Sequence, residues 1–215
     1  MPHRCWRGWP ASAMRSSGSK RSWRKSSARS DGKIPGGRIG ETEELVVESD
    51  LAYTILQPTR YMQHLENIWK PVTEQGVHGM PFSTRVQFNV ADLADLSEAT
   101  ARVVVESAPG AAQPGKHAFA TYELGGPEAL SQDDMARILA EVLGRPVTAR
   151  AVPLEEMRAK ARTAGLGDDR IEQMTVMNRH YDRHGMRGNP NVLRLLLGRE
   201  PTTYRQYVER LARAR

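Results

Sequence analysis

Two histidines four residues apart, His180 and His184 in HYDRH, share one face of an expected helix, a spacing that can bind zinc. The glutamate that acts as base in the helical metalloprotease pattern is missing, with Tyr181 in its place. Asp182 faces elsewhere, so the pair reads as a solvated helix face and no metal is assigned. Nucleophilic chemistry finds no better support. The single cysteine, Cys5, lies in a tract rich in Arg, Ser, Gly and Trp, and Ser49, Ser83, Ser97 and Ser131 occupy no nucleophile-elbow context. A phosphate cradle would need G-x-G-x-x-G between a strand and a helix, so that backbone N–H groups meet a pyrophosphate. The nearest approach, PGGRIG, supplies only Gly37-x-x-Gly40 after a segment that is not a strand, and it reads as a flexible hinge.

One stretch does have the form of a ligand-site element. DLAYTILQPTRYMQHL reads as a buried strand, rich in Tyr, Thr, Ile and Leu, that stops at Pro58 and runs directly into a helix. GETEELVVESD before it predicts a helix with an acidic first turn. Residues 61–75 predict another, with Met62, Leu65, Ile68 and Trp69 inside and Pro71 kinking or ending it. TRVQFNV predicts a short strand, followed by a cap at Asp92 and a helix with Leu93, Leu96, Ala99, Val103 and Val104 inward. HAFATYEL is a second strand, ended by Gly125, Gly126 and Pro127. Ser131 and Asp134 form a capping box that opens QDDMARILAEVLG, and PVTARAVP is a third extended segment. Residues 155–212 predict mainly helix, broken near 165–168, 185–190 and 198–201. Strands alternating with helices, then helices alone, define an α/β domain with a helical C-terminal lobe.

The formal charge of +6 is unevenly placed. Residues 1–38 hold ten Lys or Arg against one acid, whereas the other 21 basic residues face 24 acids. The first 38 residues show no period of 2 or 3.6 and read as a disordered basic leader. A tract of this kind is more often solvated than bound to nucleic acid. One cysteine excludes an internal disulfide, and no apolar run is long enough for a transmembrane helix, which leaves the cytoplasm as the default compartment.

YTILQPTRYMQHL resembles the sixth strand and following turn of the NmrA-like family, the atypical short-chain dehydrogenases that bind NAD(P)H, whose usual form there is close to YTILRPTxYMQNL. GETEELVVESDL, NVADLAD, YELGGPEALSQDDMARILAEVLGRPV and GNPNVLRLLLGREPTTYRQYVER resemble further family segments in the same order, from about residue 38 to about residue 210. The resemblance implies a partial Rossmann-like domain, residues 39–130, lacking its N-terminal nucleotide-binding strands, with a mainly helical substrate lobe over 131–215. By position it implies Pro58, Thr59 and Tyr61 beside an NADP or NAD cofactor, and Met62, Gln63 and His64 lining the substrate cleft.

The chain also departs from the family pattern. His64 replaces an Asn, Asn89 stands where the first Asp of DVADLA falls, and Ile39 sits where relatives often place a polar residue. The Tyr-x-x-x-Lys pair of ordinary short-chain dehydrogenases is absent, so no catalytic residue is assigned. The implied activity is that of a truncated NAD(P)H-dependent oxidoreductase acting on a quinone, carbonyl or similar small molecule. A non-catalytic NAD(P)-sensing regulator, an inactive fragment, and a nucleic-acid-associated protein working through the leader are the alternatives. The break near residue 38 suggests a leader from a shifted frame or wrong start site. Loss of the nucleotide half would leave the Tyr53 strand with an open edge, inviting self-association and weakening NAD(P)H binding.

Overall fold

The computed structural model describes residues 37–215. The disorder expected of the leader, and Cys5 within it, lie outside the described residues, except that Gly37 and Arg38 open helix α1 (Gly37–Glu48). Gly37 and Gly40, read as a hinge, are therefore helical. The chain then extends as β1 (Thr54–Pro58), β2 (Arg60–Tyr61), a 3₁₀ segment (Met62–Ile68), a π-turn (Pro71–Gln75), β3 (Val77–Met80) and β4 (Phe88–Ala91). Helix α2 (Leu93–Ser107), β5 (Ala120–Leu124), β6 (Ala129–Leu130), α3 (Gln132–Leu143) and β7 (Thr148–Ala151) follow. Four helices complete the chain: α4 (Leu154–Thr163), α5 (Asp168–His184), α6 (Asn191–Leu197) and α7 (Tyr204–Ala214).

The segment after β1 departs from the helix expected over residues 61–75, although it breaks at Pro71 as expected. Met62 and Leu65 are the residues that reach the core, at 2% exposure each. They are three apart, and a 3₁₀ turn sets i and i+3 on the same side. Pro71, which lacks an N–H, then opens the π-turn, and Gly76 ends it in the left-handed region at φ 67°. Local signals hold better elsewhere. Ser131 Oγ accepts from the Asp134 N–H while the Asp134 carboxylate accepts from the Ser131 N–H, the full capping box. Thr203 and Gln206 build a second one at the start of α7.

Pairing is parallel in the main. β1 lies beside β5, with Thr54 opposite Ala120 and Pro58 opposite Leu124. The backbone then changes partner. Thr59 N–H still donates to Leu124 O at 3.2 Å, but Arg60 and Tyr61 pair with Val90 and Ala91 of β4. β4 also takes β6 antiparallel on its other edge. β7, the extended segment expected at PVTARAVP, pairs parallel with β3 and so ties the later part of the chain to the earlier part.

Two apolar clusters result. Met62, Leu65, Phe82, Phe88, Met135, Leu139, Tyr204 and Val208 form the larger one, between the β2–β4–β6 and β3–β7 pairs and helices α3 and α7. Leu96, Ala99, Val103, Leu124, Leu193 and Leu197 form the other, where α2 and α6 pack beside β5.

Two expectations of burial fail together. β1 is only half-buried, because β5 is its sole strand partner among the described residues. On α2, Leu96, Ala99 and Val103 are buried, but Leu93 is 39% exposed and Val104 is 63% exposed. At about 100° per residue, Leu93 and Val104 fall on the same flank as Ser97, Thr100 and Ala101. Much of that flank faces the uncovered side of β1. The inward stripe of α2 is therefore narrower than its sequence suggests, and the remainder of its apolar surface borders an open groove.

Candidate functional site

The change of partner at Thr59 creates a fork at the carboxyl ends of β1, β4 and β5. Ligands in open α/β sheets occupy such crevices, where strands part company and backbone groups point outward. Thr59, at 6% exposure, sits in the crotch of the fork. Its hydroxyl accepts from Gly126 N–H at 3.3 Å and leans toward Leu124 O at 3.5 Å.

Gly126 is required by this closure. A Cβ there would stand 1.7 Å from Val90 O, far inside contact distance. Neighbouring Gly188 is less tightly held, since a Cβ there would first meet side-chain atoms, Glu123 Oε1 and Thr59 Cγ2, each at 2.7 Å. The sequence shows these glycines only as strand and helix breakers; the close approach of neighbouring atoms at each is a property of the fork.

Asn89 ties the fork together. Its side chain donates from Nδ2 to Gly126 O at 2.8 Å and accepts from Gly188 N–H at Oδ1, 3.0 Å. Its own N–H donates to Met186 O at 2.8 Å. The departure from DVADLA thus has a physical account, because an ionised aspartate could not donate to the Gly126 carbonyl. Asn89→Asp is expected to cost about 2 kcal/mol at neutral pH. Burial would raise the new carboxyl's pKa, so the loss should be largest above that pKa and should shrink as the group protonates on acidification. Denaturant unfolding at neutral and acid pH checks both the size and the sign.

Around the fork, the sequence candidates divide. Pro58 and Tyr61 join Leu56, Leu93, Leu96 and Leu124 in lining an open apolar groove of about 580 Å³. Tyr61 is half-buried, and its ring stacks on His64 with centroids 5.9 Å apart and planes 20° apart. His64 is exposed on one side; partial burial, then the nearby Arg60 charge, lower its pKa. Tyr61 and His64 therefore stand together, with a neutral imidazole favoured at neutral pH.

Met62 points instead into the larger core. Gln63 is occupied at both ends of its amide, donating to Asp92 Oδ1 at 2.7 Å and accepting from Leu93 N–H at 3.1 Å. Asp92, fully buried, also caps α2 through Ala94 N–H at 3.1 Å and receives Arg210 of α7 at 2.5 Å. Burial works to raise the Asp92 pKa, but the hydrogen bonds from Arg210, Gln63 and the Ala94 N–H outweigh it and hold the carboxyl below its ordinary value. The sequence exposes Asp92 as a cap but conceals its two distant partners. His180 and His184 lie exposed on α5 with ring centroids 4.8 Å apart, and no group of three metal-ligating side chains occurs among the described residues.

Parallel strand pairs that fork at their carboxyl ends, with helices packed beside them, form a partial Rossmann-like domain. No family model matches the chain. The chain is 26% identical over 188 residues to an NAD(P)H azoreductase of Xenophilus azovorans, covering 87% of this chain and 63% of that protein. It is 25% identical over 173 residues to quinone oxidoreductase 2 of Escherichia coli, covering 80% of this chain and 57% of that protein. The crystal structure of that NADPH-dependent quinone oxidoreductase superposes with a TM-score of 0.68 at 24% identity, over 82% of this chain and 61% of the other. NmrA, a negative transcriptional regulator solved in complex with NADP, superposes with a TM-score of 0.57 at 15% identity, over 78% of this chain and 54% of the other. The chain thus has the NmrA-like fold, as the YTILQPTRYMQHL strand and turn implied. It spans less than two thirds of the length of these relatives.

Proposed function

We propose that residues 37–215 supply the nicotinamide-side wall and substrate lobe of an NAD(P)H-dependent oxidoreductase acting on a quinone, carbonyl or similar small molecule. The observation that carries this reading is the fork at Thr59, which opens beside an apolar groove edged by Pro58 and Tyr61. A flat nicotinamide or quinone ring suits such a surface, because aromatic faces and aliphatic side chains bury it without leaving polar groups unpaired. Likeness to an azoreductase and a quinone oxidoreductase supports the same class of flat, electron-accepting substrate.

On this reading, Tyr61 and His64 flank the reacting rings. Pro58 shapes the turn, while Thr59 and Gln63 position the backbone around the cofactor and cleft instead of presenting free polar groups. Met62 supports the wall from behind. When bound, the cofactor supplies the hydride. No G-x-G-x-x-G cradle exists in the sequence, so the chain's own grip on the dinucleotide phosphates is weak.

The test is hydride transfer to quinones and azo dyes from NADPH and from reduced nicotinamide mononucleotide, both at saturating concentration. Acceleration over the uncatalysed rate, lost in Tyr61→Ala, is the expected result. No acceleration with either donor across the panel overturns the proposal.

The open edge of β1 and the uncovered flank of α2 also support self-association, because an unpaired edge beside apolar surface recruits another chain. Sedimentation should show an average mass that rises with protein concentration. A constant monomer mass would refute it. Among the described residues no helix is long and apolar enough to cross a membrane.

A further inference from the structure

Beside Tyr61 and His64, which border it, lies a small, partly open cavity of about 10 Å³, bordered also by Arg60, Leu65, His78, Met80 and Tyr204. Its walls are mostly apolar, yet two polar atoms there lack any hydrogen-bond partner in the protein: Nδ1 of His78 and the hydroxyl of Tyr204. Both residues are almost wholly buried, His78 at 1% and Tyr204 at 2% exposure. Arg60 adds a third polar group. Its guanidinium lies over the rings of Phe82 and Phe88, at 5.0 and 5.4 Å from their centroids, and touches Met80 Sδ at 3.2 Å. It has no carboxylate partner among the described residues.

The two orphaned atoms beside this void are costly to leave unsatisfied, since each buried polar atom without a partner forfeits its hydration, and Arg60 borders the same void. A single water needs about 10–15 Å³ of such space and typically makes about three hydrogen bonds. The chemistry of the three groups is complementary to it. The guanidinium only donates, and the tyrosine hydroxyl, its pKa raised by burial, remains protonated and can donate. Burial and the Arg60 charge hold His78 neutral, with its pKa down to about 4, so a ring nitrogen can accept.

We propose that this cavity is a single-water site at which one water accepts from Tyr204 and Arg60 and donates to His78. It joins α7, β3 and β2 directly behind the residues that edge the candidate substrate surface.

A bridging water makes the two side chains interdependent. Tyr204→Phe, which keeps the ring, should lower Tm by roughly 4 °C, because the water loses a partner and leaves the others under-satisfied. Combined with His78→Leu, it should cost less than the sum of the two single changes. An unchanged or raised Tm for Tyr204→Phe, with additive single effects, would mean a dry cavity and overturn the proposal. A halide, detected by bromide anomalous scattering in crystals of the wild-type chain, would overturn it in favour of an anion site. A crystal structure with one ordered water among the three groups would establish it directly.

Discussion

Gly126→Ala is expected to destabilise the chain by about 3 kcal/mol or more, lowering Tm by roughly 10 °C. The reason is local and severe. The added Cβ would stand 1.7 Å from Val90 O, and the obstructing atom is backbone in the middle of β4. Relief requires β4 and the loop after β5 to separate, which breaks the Asn89 to Gly126 bond and opens the fork around Thr59. Gly79→Ala supplies the comparison. There the new Cβ meets the end of the Val152 side chain at 3.1 Å, so a small shift suffices and the cost should stay within about 1 kcal/mol. Equal losses at the two glycines, measured by thermal unfolding, would show that the fork is not closed as described.

Asp92→Ala is the second large effect, at about 2–3 kcal/mol. It removes the cap of α2 and strands the Gln63 amide that fixes the segment after β2. It also releases Arg210, which is half-exposed and can be rehydrated, so the cost falls short of that for a wholly buried pair. The pH dependence follows from the lowered pKa. A carboxyl with a folded pKa below its unfolded value stabilises the fold above the unfolded value, and that contribution disappears as pH falls through the folded pKa. The wild-type chain should therefore lose stability on acidification through the ordinary aspartate range and below. Asp92→Asn should be less stable than wild type at neutral pH and should lack this part of the acid-dependent loss. Parallel acid titrations of the two chains would contradict the assignment.

How much was legible in the sequence depended on how far away the determinants lie. The capping box at Ser131 and Asp134 was readable because both partners are within one turn. Asp92 was readable as a cap for the same reason. Its latch to Gln63, 29 residues away, and to Arg210, 118 residues away, carries no local signature. β2 and β6 have two residues each, too few to show a period. The Met62–Ile68 segment mimicked an α-helix because residues three apart are close in both geometries. Val104 and Leu93 were misread because composition reports an apolar face without reporting whether anything covers it. The turn from Pro58 to Tyr61 was recognisable from its family resemblance, while the fork that gives it meaning needed the pairing of three strands.

On the proposed reading, Pro58 to His64 edge the nicotinamide side of a site, and no G-x-G-x-x-G cradle occurs in the sequence. The most direct test follows backbone amide shifts while the purified chain is titrated in parallel with NADPH and with reduced nicotinamide mononucleotide. The account predicts similar, weak affinities for the two, with perturbed amides clustered at Thr59, Tyr61, His64 and Gly126. Micromolar binding of NADPH, or perturbations that fall away from the fork, would contradict it.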